Sequence, residues 1–330
     1  MANTKGTKNG EIDKRKRILR SGTIALIVIS ALLTVLALAG GWLFMSFIGY
    51  TKADNEYRTE NIRSGDEFIE CMSARIVSHE YRLLADIEID AELWNKTMDN
   101  IVLRGALNGN GHKVTIVGEL RIPLFSRIES NAEVSHVSFA GIATVGEQAT
   151  MATLAAVNYG KVTDCTFVNA KAIVGSQQYV SFVVAHNFGK IQNCVVSGRF
   201  TADGNVAGRT AVGAVSAINY KDAEIKNCIV EVKYMRGFDA IEKPFFSENE
   251  VNDKIGYAVG QNNGKLGKIY CINAESFANA SDGKTGKDVD NIKPSDLTVQ
   301  FISSLDFVSD YWNIAAGKLP TLKIMVEVGA

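Results

Sequence analysis

The longest apolar stretch of the chain lies near its N-terminus. No Asp, Glu, Lys, Arg or His occurs from Gly22 to Tyr50. A bilayer core needs about 20 helical residues at about 1.5 Å each, and a lone spanning segment satisfies its backbone only as a helix. The pattern therefore predicts one transmembrane helix over 22–48, with a basic tail at 1–21 before it and a polar linker at 49–63 after it.

Basic residues are unevenly placed around this apolar run. They are concentrated before it (Lys14, Arg15, Lys16, Arg17 and Arg20), whereas Lys52 and Arg58 follow it. Since positive flanks stay in the cytoplasm, we expect a single-pass protein of the cell membrane, with a cytoplasmic N-terminus and an extracytoplasmic C-terminal domain. The alternative is a signal peptide cleaved after Ala39. The apolar run continues to Ile48, which favours a retained anchor.

The rest of the chain is a series of short apolar strands built around a repeat. The segments NYGKVTDCTF and HNFGKIQNCVV contain Asn158 and Asn187 at equivalent positions, and looser copies follow at Asn219 and Asn262. A repeat of roughly 30 residues buries its apolar face only by stacking on its neighbours. The repeat predicts a parallel β-helix, whose coils lie about 4.8 Å apart.

Equivalent positions of stacked coils form ladders. Asn158, Asn187, Asn219 and Asn262 are expected to form an amide ladder at a turn. Cys165, Cys194, Cys228 and Cys271 are assigned to one repeat position and interpreted as a buried ladder, rather than as disulfides or a metal site. Parallel stacking gives poor disulfide geometry, and metal-binding cysteines lie closer together in sequence. Two apolar ladders are also predicted: Val134, Val162, Ile191 and Ile225, and Phe139, Phe167, Val196 and Val230.

Two helices and one insertion break the strand pattern. A helix from Ser64 to about His79, with a Ser64–Glu67 capping box, is expected to cap the N-terminal end. A second, from Ser295 through Leu305, is expected to cover the far end. The insertion at 231–256 contains Phe238, Phe245 and Phe246, which we name as candidate ligand-binding residues because loops on rigid scaffolds often carry function. Alternatively, this loop only covers apolar surface.

The repeat resembles a known family. YAVGQNNG from Tyr257 and GKIQNC from Gly189 are similar to the GLUG-motif repeats of bacterial surface proteins. LNGNGHKVTI from Leu107 resembles the first coil of pectate-lyase-like folds. The resemblance covers about 64–325. It implies an all-β, right-handed parallel β-helix over 64–330 with short capping helices, a bacterial source and a role in cell-surface adhesion.

Candidate catalytic chemistry is sparse. The four histidines, His79, His112, His136 and His186, include no metal-spaced pair, and no nucleophile or phosphate-binding motif occurs in a fitting context. We therefore expect no enzyme, no catalytic residue, no metal and no cofactor. A net charge of −1 gives no general attraction for nucleic acid.

Two function classes remain. The first is a membrane-anchored scaffold that binds a glycan, matrix or cell-surface protein partner. The second is a structural or accessory subunit of a membrane-envelope complex. A polysaccharide lyase or hydrolase is less favoured, because paired carboxylates do not recur on neighbouring coils.

Overall fold

A computed structural model of the chain describes residues 58–141, 143–144, 149–175, 178–202, 210–236, 255–272 and 289–325. The predicted tail, the predicted transmembrane helix and most of the predicted linker lie outside these residues. In the part that is described, no helix is both long enough and apolar enough to cross a bilayer.

The strands stack in columns, and successive coils pair in parallel. The first column contains β1 (Thr59–Ile62), β3 (Glu80–Leu83), β6 (Ala106–Asn108), β10 (Glu133–Ser135), β15 (Lys161–Thr163) and β19 (Lys190–Gln192). The second contains β4 (Ile87–Asp90), β7 (Lys113–Val117), β11 (Ser138–Ala140), β16 (Thr166–Val174) and β20 (Val195–Ala202), with β8 (Glu119–Leu120) and β12 (Ala143–Thr144) beside it. The two columns merge in β23 (Glu224–Arg236) and β25 (Lys265–Ile272), and β26 (Val289–Ile292) adds to β25.

A third column closes each coil. It contains β2 (Ile76–Val77), β5 (Val102–Leu103), β9 (Phe125–Ile128), β14 (Ala155–Asn158), β18 (Val184–Asn187), β22 (Ser216–Asn219) and β24 (Val259–Asn262). A short sheet of β13 (Thr150–Met151), β17 (Tyr179–Val180) and β21 (Ala211–Val212) precedes it. Among the described strands, only β27 (Trp312–Asn313) and β28 (Thr321–Leu322) pair antiparallel. The prediction of a mostly β chain with long parallel sheets, as in a β-solenoid, is confirmed.

Inward positions of neighbouring coils are in register and fill the interior. Val134 pairs with Val162, Val162 with Ile191, and Ile191 with Ile225. A second row runs from Phe139 through Phe167 and Val196 to Val230. All eight side chains are fully buried. Burial of these rows stabilises the stack of coils, because no single coil can exclude water from its own apolar face.

Each of five coils bends at one residue in the left-handed conformation, between the first and second columns. His136, Asp164, Asn193, Asn227 and Lys268 follow equivalent strands and have φ between 50° and 54°. Asn and Asp tolerate this conformation better than most residues. The bend places one outward-facing residue per coil in a row along the solenoid, which we call the bend column.

The N-terminal cap differs in extent from the sequence-based prediction. Helix α1 (Gly65–Met72) ends at Met72 rather than near His79, because Ile76 and Val77 pair with β5 instead. Ser64 Oγ accepts a hydrogen bond from Glu67 N at 3.2 Å, as in a capping box. Glu67 Oε2, however, accepts from the backbone N of Arg63 at 2.6 Å, one residue before the N-cap, and not from that of Ser64. The solenoid also begins earlier than predicted, since β1 lies inside the predicted linker.

A second helix, α2 (Ala91–Thr97), follows β4. The Asp90 side chain caps it by accepting hydrogen bonds from Glu92 N and Leu93 N, which satisfies two donors of its first turn. Its buried Trp94 lies 5.8 Å, between ring centroids, from Phe68 of α1. The two short helices therefore pack together at the N-terminal end of the solenoid.

Two predictions for the C-terminal half were wrong. Residues 231–236 are not inserted, because they continue β23 and pair with β20 from Ser197 to Ala202. The later helix, α3 (Val299–Ser303), follows a 3-10 turn (Pro294–Asp296). Its buried Ile302 packs in one cluster with Val195 and Ile229, two outward positions of the second column. This helix therefore covers an apolar flank and not the far end.

Candidate binding surface

The amide ladder lies inside the solenoid. Asn158 Nδ2 donates to Asn187 Oδ1 at 2.8 Å, Asn187 Nδ2 to Asn219 Oδ1 at 2.8 Å, and Asn219 Nδ2 to Asn262 Oδ1 at 2.9 Å. The first three side chains are fully buried. Asn187 Oδ1 also accepts from Gly189 N at 3.3 Å. The ladder satisfies buried turn amides and leaves no surface for a ligand at these three residues.

Three of the four predicted ladder cysteines share one position. Cys165, Cys194 and Cys228 each donate from Sγ to the carbonyl two residues earlier, at 3.2, 3.3 and 3.3 Å. All five cysteines, including Cys71 in α1, are free thiols. Burial raises the pKa of Cys165 to about 12, so this thiol stays protonated and unreactive near neutral pH.

Cys271 was assigned to the wrong position. The register places Ile269 beside Cys228, and Cys271 beside Val230. The reason is that the coil after Asn219 has two more residues before its next strand, which starts at Glu224, than the coil after Asn262, whose strand starts at Lys265. Cys228 and Cys271 lie equally far in sequence from Asn219 and Asn262, but they therefore do not occupy equivalent positions in their coils. Cys271 is still buried, in the same interior cluster as Phe167.

The remaining predicted site residues lie outside the described part. Phe238, Phe245 and Phe246 are outside it, so their role stays a prediction. The described residues contain no group of three or more His, Cys, Asp and Glu side chains arranged to hold a metal. His112 Nδ1 lies 3.2 Å from Asp86 Oδ1, and the ring of His136 lies 4.6 Å from that of Tyr311.

An exposed column of stacked aromatic rings runs beside the amide ladder. The rings of Tyr159 and Phe188 have centroids 5.0 Å apart with planes at 19°, and those of Phe188 and Tyr220 are 3.9 Å apart at 13°. Each follows a ladder asparagine, and since that asparagine points inward the next side chain points outward. Tyr159 is 43% exposed and Phe188 38%.

Two more rings widen this column into a patch. His186 lies 4.8 Å from Tyr179 and 5.9 Å from Tyr220 between ring centroids, and Tyr220 Oη lies 3.3 Å from His186 Nδ1. We call Tyr159, Tyr179, His186, Phe188 and Tyr220 the aromatic patch. All five are exposed or half-buried, and patches of this kind mark interaction sites more often than isolated surface rings do.

The patch is neutral near pH 7. Burial lowers the pKa of the His186 imidazole, which favours its uncharged form. Burial first, and then the neighbouring Tyr179 and Tyr159 phenols, raises the pKa of Tyr220. The patch thus combines apolar rings with uncharged hydroxyl and imidazole groups, a mixture that is enriched at recognition surfaces.

Sequence reasoning missed this patch, although a signal for it is present. The residue after the ladder asparagine is aromatic in three copies (Tyr159, Phe188 and Tyr220) and is Asn263 in the fourth. Tyr179 and His186 carry no repeat signal, because they occur once each. Only the fold brings them beside Tyr220.

In contrast to the exposed aromatic patch, the bend column is covered by the C-terminal residues 297–325. We call these residues the C-terminal strap. Lys268 Nζ donates to Ser304 O at 3.5 Å and Asn227 Nδ2 to Asp306 Oδ2 at 2.9 Å. Trp312 Nε1 donates to Asp164 Oδ1 at 3.2 Å. The strap therefore contacts one coil after another.

The strap also reaches the coil that precedes those of the bend column. Met325 N donates to Asn110 O at 2.8 Å. Gly111 has φ +81°, and a Cβ on it would lie 1.8 Å from Lys323 O, so only glycine permits this close approach. The NGNG segment that resembles a pectate-lyase-like first coil thus receives the strap.

Comparisons with known proteins show the fold alone. No protein-family model matches the chain, and no curated protein matches it. The chain is similar to a crystal structure from Bacteroides ovatus described as a "putative immunoglobulin A1 protease", with a TM-score of 0.54, 13% identity, and coverage of 82% of this chain and 94% of that one. At that identity the likeness concerns the path of the chain and not its chemistry.

Proposed function

We propose that this protein is a membrane-anchored, extracytoplasmic scaffold, a right-handed parallel β-helix that binds a glycan, matrix or cell-surface partner. The observation that carries the proposal is the aromatic patch. Five neutral rings are gathered on one flank, and Tyr159 and Phe188 are more than a third exposed. Tyr residues combine large contact area with a polar tip, which suits them to binding surfaces.

The stacking geometry favours a particular way of binding. Phe188 has a ring on each side, so its faces are covered and its edge remains available. In the preceding coil, Ile128 is the register partner of Asn158. Glu129, which follows Ile128, therefore occupies the position equivalent to Tyr159. Tyr159 is therefore the end of the stack. One of its faces has no ring partner within the column, and such a face accommodates the C–H side of a sugar ring.

Two sequence features support the location. The apolar run at 22–48 would anchor the protein, and its basic N-terminal flank would keep that end in the cytoplasm. The GLUG-like repeat adds an associational argument for a bacterial surface protein. The right-handed sense is proposed because crossovers between parallel strands are almost always right-handed.

We further propose that the protein does not act as an enzyme. Two described histidines contact a side-chain oxygen or phenol, His112 with Asp86 and His186 with Tyr220. The ring nitrogens of His136 are buried and have no hydrogen-bond partner in the described part. None of these contacts pairs a histidine with a serine or cysteine nucleophile. Incubation of the full-length chain with immunoglobulin A1 should leave the antibody intact, and cleavage would contradict this part of the proposal.

The binding proposal is tested by screening the purified full-length chain on a glycan array and on cells. The double variant Tyr159→Ala/Tyr220→Ala should lose about tenfold or more in affinity for any partner found. Leu93→Ala/Val308→Ala is the control, because it removes apolar side chains that are 40% and 47% exposed elsewhere. Equal binding by the wild type and the Tyr159/Tyr220 variant would refute the role of the patch.

A further inference from the structure

A row of mixed charges borders the aromatic column of Tyr159, Phe188 and Tyr220. It lies on the outward face of the first column, and its register runs coil by coil through Glu133, Lys161, Lys190, Glu224 and Lys265. Lys161 lies two residues after Tyr159, and Lys190 lies two residues after Phe188. All five charged residues are exposed or half-buried. We call them the charged row.

The charged row is complementary to itself when one copy is reversed. We consider a second copy that lies antiparallel, with a two-fold axis at the coil of Lys190. Glu133 then faces the partner's Lys265, and Lys161 faces the partner's Glu224. The two-fold symmetry repeats both ion pairs. Lys190 meets the partner's Lys190 at the axis, which is the one pair of like charges in this register.

Other alignments of two charged rows bring more like charges together. In a parallel pairing, every residue faces its own equivalent. If the antiparallel copy is shifted by one coil, Glu133 faces the partner's Glu224 and Lys161 faces the partner's Lys190. A shift in the other direction places Lys161 opposite the partner's Lys265. Since like charges across an interface suppress an arrangement, the charge pattern selects the register centred on Lys190.

The same register centres the aromatic column. Phe188 belongs to the coil of Lys190, so Phe188 faces the partner's Phe188 and Tyr159 faces the partner's Tyr220. The outer edges of the two ring stacks then meet and exclude water, with the charged row beside them. An aromatic centre with a charged border is the usual anatomy of a protein interface. Two different positions of the repeat therefore select one axis.

The contacts within the chain leave the charged row open to a second copy. Lys161 Nζ lies 3.1 Å from Glu133 Oε1, and both side chains remain about 40% exposed. Lys161 is also in register with Lys190, and like charges opposite each other on neighbouring strands are destabilising. An antiparallel second copy offsets this repulsion, because it places Glu224 of the partner subunit opposite Lys161.

We infer that the partner of the aromatic patch is a second copy of this chain, which lies antiparallel and belongs to a facing membrane. This inference rests on the proposed function, because it names the cell-surface partner that the patch binds. Antiparallel pairing points the N-terminal ends of the two solenoids in opposite directions. Those ends follow the predicted anchors in sequence, so the pairing suits contact between two membranes.

The test uses the full-length chain in vesicles of neutral phosphatidylcholine, and light scattering measures how fast the vesicles cluster. Vesicles that carry the wild type should cluster, and they should cluster more slowly as salt is raised. Vesicles without protein should stay separate. Wild-type vesicles that do not cluster would overturn the inference.

Two charge reversals test which residues face each other. Lys161→Glu places a carboxylate opposite the partner's Glu224, and Glu224→Lys places a cation opposite the partner's Lys161. Each variant alone should cluster about tenfold more slowly, because like charges then face each other across the interface. A mixture of the two kinds of vesicle should cluster at close to the wild-type rate, since every facing pair again combines opposite charges. A mixture without recovery would overturn the inference.

Matched control variants change the charge elsewhere by the same amounts. Lys233→Glu and Glu231→Lys alter two exposed residues of β23 in the second column, and both should cluster as the wild type does. Unfolding midpoints are compared for all variants, so that loss of structure is separated from loss of contact. If the controls slow clustering as much as Lys161→Glu and Glu224→Lys do, the effect is general repulsion and the inference is wrong.

Removal of one cation at the axis should strengthen the pairing. Lys190→Gln removes the like-charge pair of the register, so its vesicles should cluster about twofold faster. This variant leaves the contact between Lys161 and Glu133 in place, and it keeps the test decisive if Lys161→Glu fails to fold. Slower clustering by a folded Lys190→Gln protein would contradict the proposed axis.

The outcomes separate this inference from the proposed function. If wild-type vesicles stay separate while a glycan or cell partner still binds the wild type and not Tyr159→Ala/Tyr220→Ala, only the inference fails. If clustering follows the charge exchange but survives Tyr159→Ala/Tyr220→Ala, the second copy is supported as a partner and the role of the aromatic patch is refuted.

Discussion

The bend column and the aromatic column, which consists of Tyr159, Phe188 and Tyr220, arise from the same repeat but differ in whether the described chain covers them. The bend column, from His136 to Lys268, is covered by the C-terminal strap. The aromatic column of Tyr159, Phe188 and Tyr220 has no such cover among the described residues, and two of its rings are more than a third exposed. The chain itself therefore covers one flank, whereas the described residues leave two rings of the other flank exposed.

The composition of the two flanks fits this difference. Under the strap, the second column changes from polar to apolar along the solenoid. Ser138 and Thr166 bond to each other through their hydroxyls at 2.7 Å, whereas the next outward residues in register are Val195 and Ile229. These two pack with Ile302 of α3. At Val195 and Ile229 the covered flank is therefore aliphatic, whereas the exposed flank carries stacked aromatic rings.

The largest effect should come from removing the main anchor of the strap. Trp312 is 1% exposed, packs on Phe307 with ring centroids 4.7 Å apart, and bonds to Asp164. Trp312→Ala should cost about 3–5 kcal/mol and release the strap. The measurement is hydrogen exchange at the amide of Met325, which bonds to Asn110. Trp312→Phe is the control, since it keeps the ring and should lose about 1 kcal/mol. Unchanged protection in Trp312→Ala would show that the strap is held by other contacts.

The next effect concerns the middle of the aromatic column. Phe188→Ala removes two ring stacks, each worth about 0.5–1.5 kcal/mol beyond burial, so urea unfolding should show a loss of about 1–3 kcal/mol. Binding of a partner should fall as well. Phe188→Tyr keeps the stack and should restore both properties. A stability loss without any binding loss would mean that the column only holds the coils together.

Acidification should loosen the covered flank slightly. Burial lowers the pKa of His136, with Lys161 acting in the same direction and Asp164 and Glu133 opposing it. The unfolded pKa is about 6.5, so stability is complete above that pH and declines as pH falls towards the lower folded value. Partial exposure limits the loss to less than about 1 kcal/mol.

The control for this pH effect is His136→Asn, which matches Asn193 and Asn227 at the same left-handed position. The free energy of unfolding at pH 7.5 and pH 5.0 is compared for the two proteins. The variant should show the smaller decrease. His186 contributes equally to both and cancels. Identical decreases would assign the pH dependence elsewhere.

The smallest effect tests a single hydroxyl. Tyr220→Phe removes the contact between Tyr220 Oη and His186 Nδ1 but keeps the ring stack. Stability should change by less than about 1 kcal/mol, because the bond is half-exposed and 3.3 Å long. Titration of a retained partner should show a drop of a few-fold. No change in affinity would show that the rings alone are used.

Structural features that recur in every repeat could be predicted from the sequence, whereas features that occur once could not. The amide ladder and the inward rows could be predicted because Asn158 and Val162 have equivalents in every following copy. The strap is invisible, since the contact between Asp164 and Trp312 joins residues 148 positions apart and neither residue recurs at its position. The misplaced Cys271 has a related cause, because spacing does not show where in a coil two extra residues lie.

The most direct test of the central claim is hydroxyl-radical footprinting of the full-length chain with and without a partner from the screen. Exposed aromatic side chains react readily, so both flanks are read in one experiment. We expect the partner to protect Tyr159, Phe188 and Tyr220 while Tyr311 on the strap, 37% exposed, reacts as before. Protection of Tyr311 with unchanged oxidation of the aromatic column would contradict the account.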